Sequence, residues 1–197
     1  MRIVAGQLKG RALASPESGD IRPTSDRLRE AIFNILEHAY GGVISGARVL
    51  DLFAGTGAMG IEALSRGAAF ALFVDEGAQA RSLIRENVTE LGLAGKTRLF
   101  RRDATRMGDA NPNAPFSLVF CDPPYDKDLA PGALISCAEG GWLEDGAIVV
   151  IEESRAATPE LPEGFEELER RNYGKTGIIF AQWKAHGSTS RNNACPV

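Results

Sequence analysis

Cysteine, histidine and long apolar runs are all scarce in this chain. Three cysteines stand among 197 residues, Cys121, Cys137 and Cys195. They show no CxxC spacing, so neither a disulfide framework nor a cysteine zinc site is expected, and Cys121 reads as a small buried hydrophobe. The two histidines, His38 and His186, match no metal-ligand spacing, and no metal is expected. Every apolar run is well short of the roughly 18 residues that a membrane span needs. The polar, basic start Met1-Arg2-Ile3-Val4-Ala5-Gly6 lacks the apolar core of a signal peptide. A soluble cytoplasmic protein without membrane contact is therefore expected. A net charge of -4 argues against nonspecific coating of nucleic acid, while leaving room for a local basic face.

With 44% hydrophobic residues, the length suits one well-packed core and is short for two. Residues 1–185 are expected to form that domain, opened by a basic hairpin and loop over 1–20 and followed by a small, polar tail over 186–197. Loose alternation and glycines at both ends of a turn suggest the hairpin. A helix is expected from Thr24, Ser25 or Asp26, with Leu28, Ala31, Ile32, Ile35, Leu36 and Ala39 at helical spacing until Gly41-Gly42.

The middle of the chain alternates strand and helix. Residues 47–53 form a buried strand, followed at once by Ala54-Gly55-Thr56-Gly57-Ala58-Met59-Gly60 and a helical pattern to Gly67. Strand, glycine turn and helix open a nucleotide-binding βαβ unit. The glycines let the backbone approach a ligand closely. A second strand over 69–74 ends on Asp75-Glu76, at about the spacing where an acidic residue meets ribose hydroxyls. A helix over 80–91 and a third strand over 97–102 follow, ending on Asp103-Ala104. There Asp103 is placed to accept from an adenine amino group. A helix over 134–143 and a strand over 147–151 come later, and residues 165–171 and 178–183 read as a hairpin. Five alternating units closed by a hairpin suggest a mostly parallel sheet with an antiparallel member near its edge.

The stretch Asp122-Pro123-Pro124-Tyr125 ends the apolar run of 116–121. A proline pair stops a strand sharply and leaves carbonyls without internal partners. With one carboxylate and one flat ring beside them, these groups can clamp a planar base bearing an amino group. Ligands of open α/β sheets bind outside the carboxyl ends of the strands, so this loop and the glycine loop should face one space.

At these two loops the sequence resembles the class I S-adenosylmethionine-dependent methyltransferases. Further matches are Arg2-Ile3-Val4-Ala5-Gly6-Gln7-Leu8-Lys9-Gly10-Arg11, Arg22-Pro23-Thr24 with Arg27-Leu28-Arg29-Glu30-Ala31-Ile32-Phe33-Asn34-Ile35-Leu36, and the Tyr173-Gly174-Lys175-Thr176 turn. With them the chain is similar to the RsmD-like 16S ribosomal RNA guanine-N2 methyltransferases. The resemblance implies a Rossmann-like α/β fold: a mostly parallel seven-stranded sheet with an antiparallel C-terminal strand and helices on both faces. It implies S-adenosylmethionine as cofactor, with the methionine part held by Asp51 and the backbone of Phe53, Ala54, Gly55, Thr56 and Gly57. The ribose would meet Asp75, beside Glu76, and the adenine Asp103 and Ala104. The catalytic loop would be Asp122, Pro123, Pro124 and Tyr125, and no metal is implied.

The implied partner is 16S rRNA in the small ribosomal subunit or an assembly intermediate, met by a monomer. Arg2, Lys9, Arg11, Arg22, Thr24, Arg27 and Arg29 are the expected RNA contacts, although Arg22 and Thr24 could equally meet the methionine carboxylate. Guanine N2 lies in the minor groove or inside a base pair, so an unpaired or flipped nucleotide is the expected target. Adenine N6 in DNA or another RNA would suit the same clamp. An NAD-dependent oxidoreductase would leave the Pro-Pro loop unused, and a binding module would not need the four carboxylates.

Overall fold

The computed structural model describes residues 1–16, 25–124, 127–157 and 159–185. The expectations for Arg22, Thr24, Tyr125 and the tail from residue 186 lie outside them. The elements run α1 (Asp26–His38), β1 (Arg48–Leu52), α2 (Ala58–Ser65), β2 (Phe70–Val74), α3 (Ala78–Glu90), β3 (Thr97–Phe100), β4 (Phe116–Cys121), α4 (Leu129–Glu139), β5 (Leu143–Ser154), β6 (Phe165–Tyr173) and β7 (Thr176–Trp183). The strands form one seven-stranded sheet in the order β3-β2-β1-β4-β5-β7-β6. β1 to β5 pair in parallel, and β7 lies antiparallel between β5 and β6. This is the Rossmann-like topology that the class I resemblance implies.

The period-2 alternation of buried strands divides the core in two. Val49, Ala71, Phe73, Leu118 and Phe120 face a cluster completed by α1, α2 and α3. Leu50, Leu52, Leu72, Val119 and Cys121 face the other, with Ala130, Ala133, Leu134 and Cys137 of α4. Helix α1 follows from its sequence: Ser25 caps it by accepting from Leu28 N–H, and Ile32, Phe33, Ile35 and Leu36 form its buried stripe. Phe33 packs on Phe120 of β4 at 5.4 Å between ring centroids, so α1 crosses the middle of the sheet.

Two expectations need correction. Between β3 and β4 the described residues form a single 3-10 turn, Ala104–Arg106, in place of an α-helix. The stretch after it, Gly108-Asp109-Ala110-Asn111-Pro112-Asn113, is rich in turn formers, and Met107 and Ala110 fill the space a helix would cover. Helix α4 begins at Leu129 and ends at Glu139, earlier than the spacing from Leu134 suggested. Pro131 sits in the first turn of α4, where its missing N–H costs no hydrogen bond.

The N-terminal hairpin is reduced to one bridge, Arg2 to Ala12, but it is firmly docked. Glu62 on α2 is fully buried. Its carboxylate accepts from Val4 N–H at 2.8 Å and Ala5 N–H at 3.0 Å. It also pairs with Arg66 at 2.9 Å and Arg29 at 3.4 Å. Arg29 in turn meets Asp26 at 2.8 Å and donates to the Arg2 carbonyl. Ser65 donates to the Ala5 carbonyl and accepts from Leu8 N–H. Gly6, at φ +80°, lies so close that a Cβ there would stand 1.9 Å from the Ser65 carbonyl oxygen. One carboxylate thus ties the first residues, α1 and α2 together.

Removing that carboxylate leaves two buried guanidinium groups and two backbone amides short of an acceptor. Glu62→Ala is therefore expected to lower stability by about 3–5 kcal/mol, with Glu62→Gln losing less. Urea unfolding measures this, and a loss below about 1 kcal/mol, the size of an exposed ion pair, contradicts it.

Candidate active site

The order of the strands reverses direction between β1 and β4, and the loops that follow them open into one cavity of about 1550 Å³. Single-ligand pockets commonly measure about 300–1,000 Å³, so this one has room for two ligands side by side. Its wall is built from the glycine loop, the ends of β2 and β3, the Asp122 loop, the first turns of α1 and the turn between β6 and β7.

The glycine loop owes its shape to backbone conformation. Phe53 has φ +55° and Gly57, the residue before α2, has φ +77°. Phe53 is non-glycine in the left-handed region, a conformation that costs free energy and concentrates at functional sites. The loop is fixed from two sides. Ala54 N–H donates to the Val74 carbonyl at 3.1 Å, and Gly55 N–H donates to Asp75 Oδ2 at 2.9 Å. From α3, the buried Asn87 donates to the Thr56 carbonyl at 3.0 Å and accepts from Ala14 N–H at 2.7 Å. This side chain couples the N-terminal segment to the loop. Its place three residues after Ile84 and seven after Ala80, on the buried stripe of α3, is the signal that could have exposed it in sequence.

Asp51 lies beneath the loop, 2% exposed, with Oδ2 accepting from Gly60 N–H at 2.9 Å. Burial raises its carboxyl to about 8; the Gly60 amide opposes the rise and nearby Asp75 adds to it. Only a glycine fits at position 60, because a Cβ would come within 2.5 Å of Phe73. Asp75 is held by Gly55 and by Gly77 N–H at 2.7 Å, and Glu76 lines the same wall. Asp103 accepts through Oδ1 from both Thr105 N–H and its hydroxyl, which lowers its pKa, while Oδ2 stands 4.0 Å from Arg106 Nε. Ala104 is buried beside it.

The second loop stands one strand away. Asp122 N–H reaches the Leu52 carbonyl at 3.5 Å, tying the end of β4 to the end of β1. Asp122 and Pro123 line the cavity with Pro124 exposed at its edge. The expected cofactor-binding and catalytic residues that are described, Asp51, Phe53 to Thr56, Asp75, Glu76, Asp103, Ala104 and Asp122 to Pro124, therefore share one cavity. Gly57, the N-cap of α2, does not line it.

The expected RNA contacts do not stay together. Arg29 is completely buried and bound to Asp26 and Glu62. It holds α1 in place, and its expected role as an RNA contact is withdrawn. Lys9 and Arg11 are exposed, but Arg11 donates to the Glu90 carbonyl at the last turn of α3. Helices α2 and α3 start at the cavity, so this end lies about 19 Å from it along α3. Arg2 stands beside the start of α1, where Asp26 accepts from its amide. Arg27 alone of the described set lines the cavity.

Residues 1–182 match a family described as conserved hypothetical protein 95. The chain belongs to this family, that of the RsmD-like methyltransferases. It is 37% identical over 185 residues to the "Putative rRNA methyltransferase YlbH" of Bacillus subtilis, covering 91% of this chain and 97% of that one. It is 34% identical over 190 residues to the "Ribosomal RNA small subunit methyltransferase D" of Escherichia coli, covering 96% and 93%. Among solved structures, the "Putative methyltransferase yhhF from Escherichia coli" superimposes with a TM-score of 0.80 at 33% identity, over 94% of this chain and 98% of that one. The RsmD-like fold thus carries the methyltransferase reading of the cavity.

Asp51 makes stability depend on pH. Its folded value, about 8, lies above the ordinary 3.8, so the folded state keeps a proton that the unfolded state releases between those values. The contribution of Asp51 to stability therefore falls as pH rises through that window. Asp51→Asn cannot ionise, and its melting temperature is expected to gain on the wild type from about pH 4 to about pH 8. Parallel melting curves across that range would contradict the assignment.

Proposed function

We propose that this chain is a cytoplasmic, monomeric S-adenosylmethionine-dependent methyltransferase. It modifies the exocyclic N2 amine of one guanine in 16S rRNA, within the small ribosomal subunit or an assembly intermediate. The observation that carries the reading is the contact from Asp122 N–H to the Leu52 carbonyl. It sets an amine-accepting loop directly beside the glycine loop, in a cavity large enough for a cofactor and a base. The relatives described as rRNA methyltransferases supply the substrate class.

The residues fit the cofactor. Asp75, already aimed at the glycine loop, offers acceptors to a ribose diol, and Asp103 with Ala104 forms a ledge for adenine after β3. Asp51 lies under the loop where a methionine ammonium would draw its proton off and leave a carboxylate partner. When bound, S-adenosylmethionine supplies a methyl group on an activated sulfonium.

Everything else is positioning. The Asp122 carboxylate and the Pro123 carbonyl accept the two N–H bonds of the guanine amine. That turns its lone pair toward the cofactor half of the cavity and stabilises positive charge as it grows on nitrogen. Tyr125, the next aromatic in sequence, offers a stacking face of the kind worth roughly 1–3 kcal/mol per base.

Methyl transfer from labelled S-adenosylmethionine to small subunits lacking the modification, followed by nucleoside analysis, tests the reading. Label in N2-methylguanosine is the expected result. Label in N6-methyladenosine, or none, overturns it. In the same assay Asp122→Ala should lower turnover by at least a hundredfold, the scale on which losing one preorganised charge-stabilising group acts, with cofactor affinity nearly kept. Asp75→Ala should chiefly weaken cofactor binding. Equal damage to binding in both variants would contradict this division of roles.

A further inference from the structure

The cavity has a sign at each end. Strand order places the ends of β2 and β3 on one side of β1, and those of β4, β5 and the β6–β7 turn on the other. On the first side stand Asp75, Glu76 and Asp103, facing Arg102. Arg102 is already committed: it donates to the Met107 carbonyl and stacks over Phe100 and Trp142.

Three cations line the cavity from three separate parts of the chain: Lys127 after the Asp122 loop and Lys175 in the β6–β7 turn, both on the second side, and Arg27 on α1, whose Phe33 packs on β4. All three are exposed. None forms an ion pair with a described residue, whereas Arg29 of α1, Arg66 at the end of α2, and Arg170 and Arg171 of β6 do. Asp122 and Glu152 are the acids on that side, and the proposed function assigns Asp122 to the amine.

We propose that Arg27, Lys127 and Lys175 form a phosphate-binding rim. It holds the backbone of the single-stranded RNA on either side of the target nucleotide as its base enters between Asp122 and the glycine loop. The inference rests on the proposed function and deepens it by moving the RNA track to the rim of the β4 side. Lys9 and Arg11 lie at the opposite end of α2 and α3, too far to guide a base into the cavity. Three cations spread over α1, a strand-end loop and a hairpin turn suit a strand that curves around the mouth. A flexible ammonium on each of two loops can follow phosphates without reading sequence.

The test uses the full chain, a short fluorescein-labelled single-stranded RNA of mixed sequence, and affinities measured across a range of KCl concentrations. Each phosphate contact with a single strand contributes about 0.7 to the slope of log affinity against log salt. The variant Arg27→Ala/Lys127→Ala/Lys175→Ala is expected to reduce that slope by about 2, with an unchanged melting temperature, because the three side chains are exposed. An unchanged slope overturns the rim. So does a slope lost only in Lys9→Ala/Arg11→Ala, which returns the track to the amino-terminal hairpin. Loss of S-adenosylhomocysteine affinity without change of slope also overturns it, assigning these cations to the cofactor carboxylate. Failure of the wild type to methylate rRNA is a separate outcome that strikes the proposed function, whereas methylation with an intact slope in the rim variant strikes the rim alone.

Discussion

The carboxylate of Glu62 is closed off from water and shared among two backbone amides and two guanidinium groups. A buried charge is tolerated only when its partners surround it. Around this one the partners come from three distant parts of the chain: the first residues, α1 and α2. The constraint reaches the cavity. Fixing Arg29 fixes α1, whose Ser25, Arg27 and Leu28 form one wall. Fixing Val4 and Ala5 on α2 sets the path of the segment that Asn87 then grips at Ala14 and links to Thr56 of the glycine loop. The amino-terminal residues, which look like an appendage to a parallel sheet, are a strap across the helices behind the site.

The sheet places chemistry by topology. Because the chain reverses its winding between β1 and β4, two loops with different tasks lie side by side at the crevice. The loop after β1 is soft in sequence and strained in conformation, with Phe53 in the left-handed region. The loop after β4 is stiffened by two prolines. A buried Asp51 on one side and Asp122 on the other give two carboxylates in different settings, one whose burial favours the neutral acid and one that the proposed function assigns to the amine.

Much of this was legible in the chain because the decisive features are local. A glycine turn between strand and helix, acids at strand ends and a Pro-Pro stop each announce themselves within a few residues. What escaped was held in tertiary contacts. Arg29 was grouped with the RNA-facing arginines, although its spacing to Ile32, Phe33 and Leu36 puts it on the buried stripe of α1. Polar residues on an apolar stripe, Arg29, Glu62 and Asn87, are where a helical pattern hides its interhelical bonds. The missing helix between β3 and β4 had a local sign in the turn-forming run after Gly108, overridden by the regularity of the units around it.

The proposed function divides the cavity at the seam between β1 and β4, assigning the cofactor to the acidic side and the base to the other. A crystal structure with bound S-adenosylhomocysteine tests this most directly. The account predicts ribose hydroxyls within hydrogen-bond reach of Asp75, adenine beside Asp103 and Ala104, and the thioether sulfur turned toward Asp122. Adenine seated on the β4 side, among Arg27, Lys127 and Lys175, would contradict it.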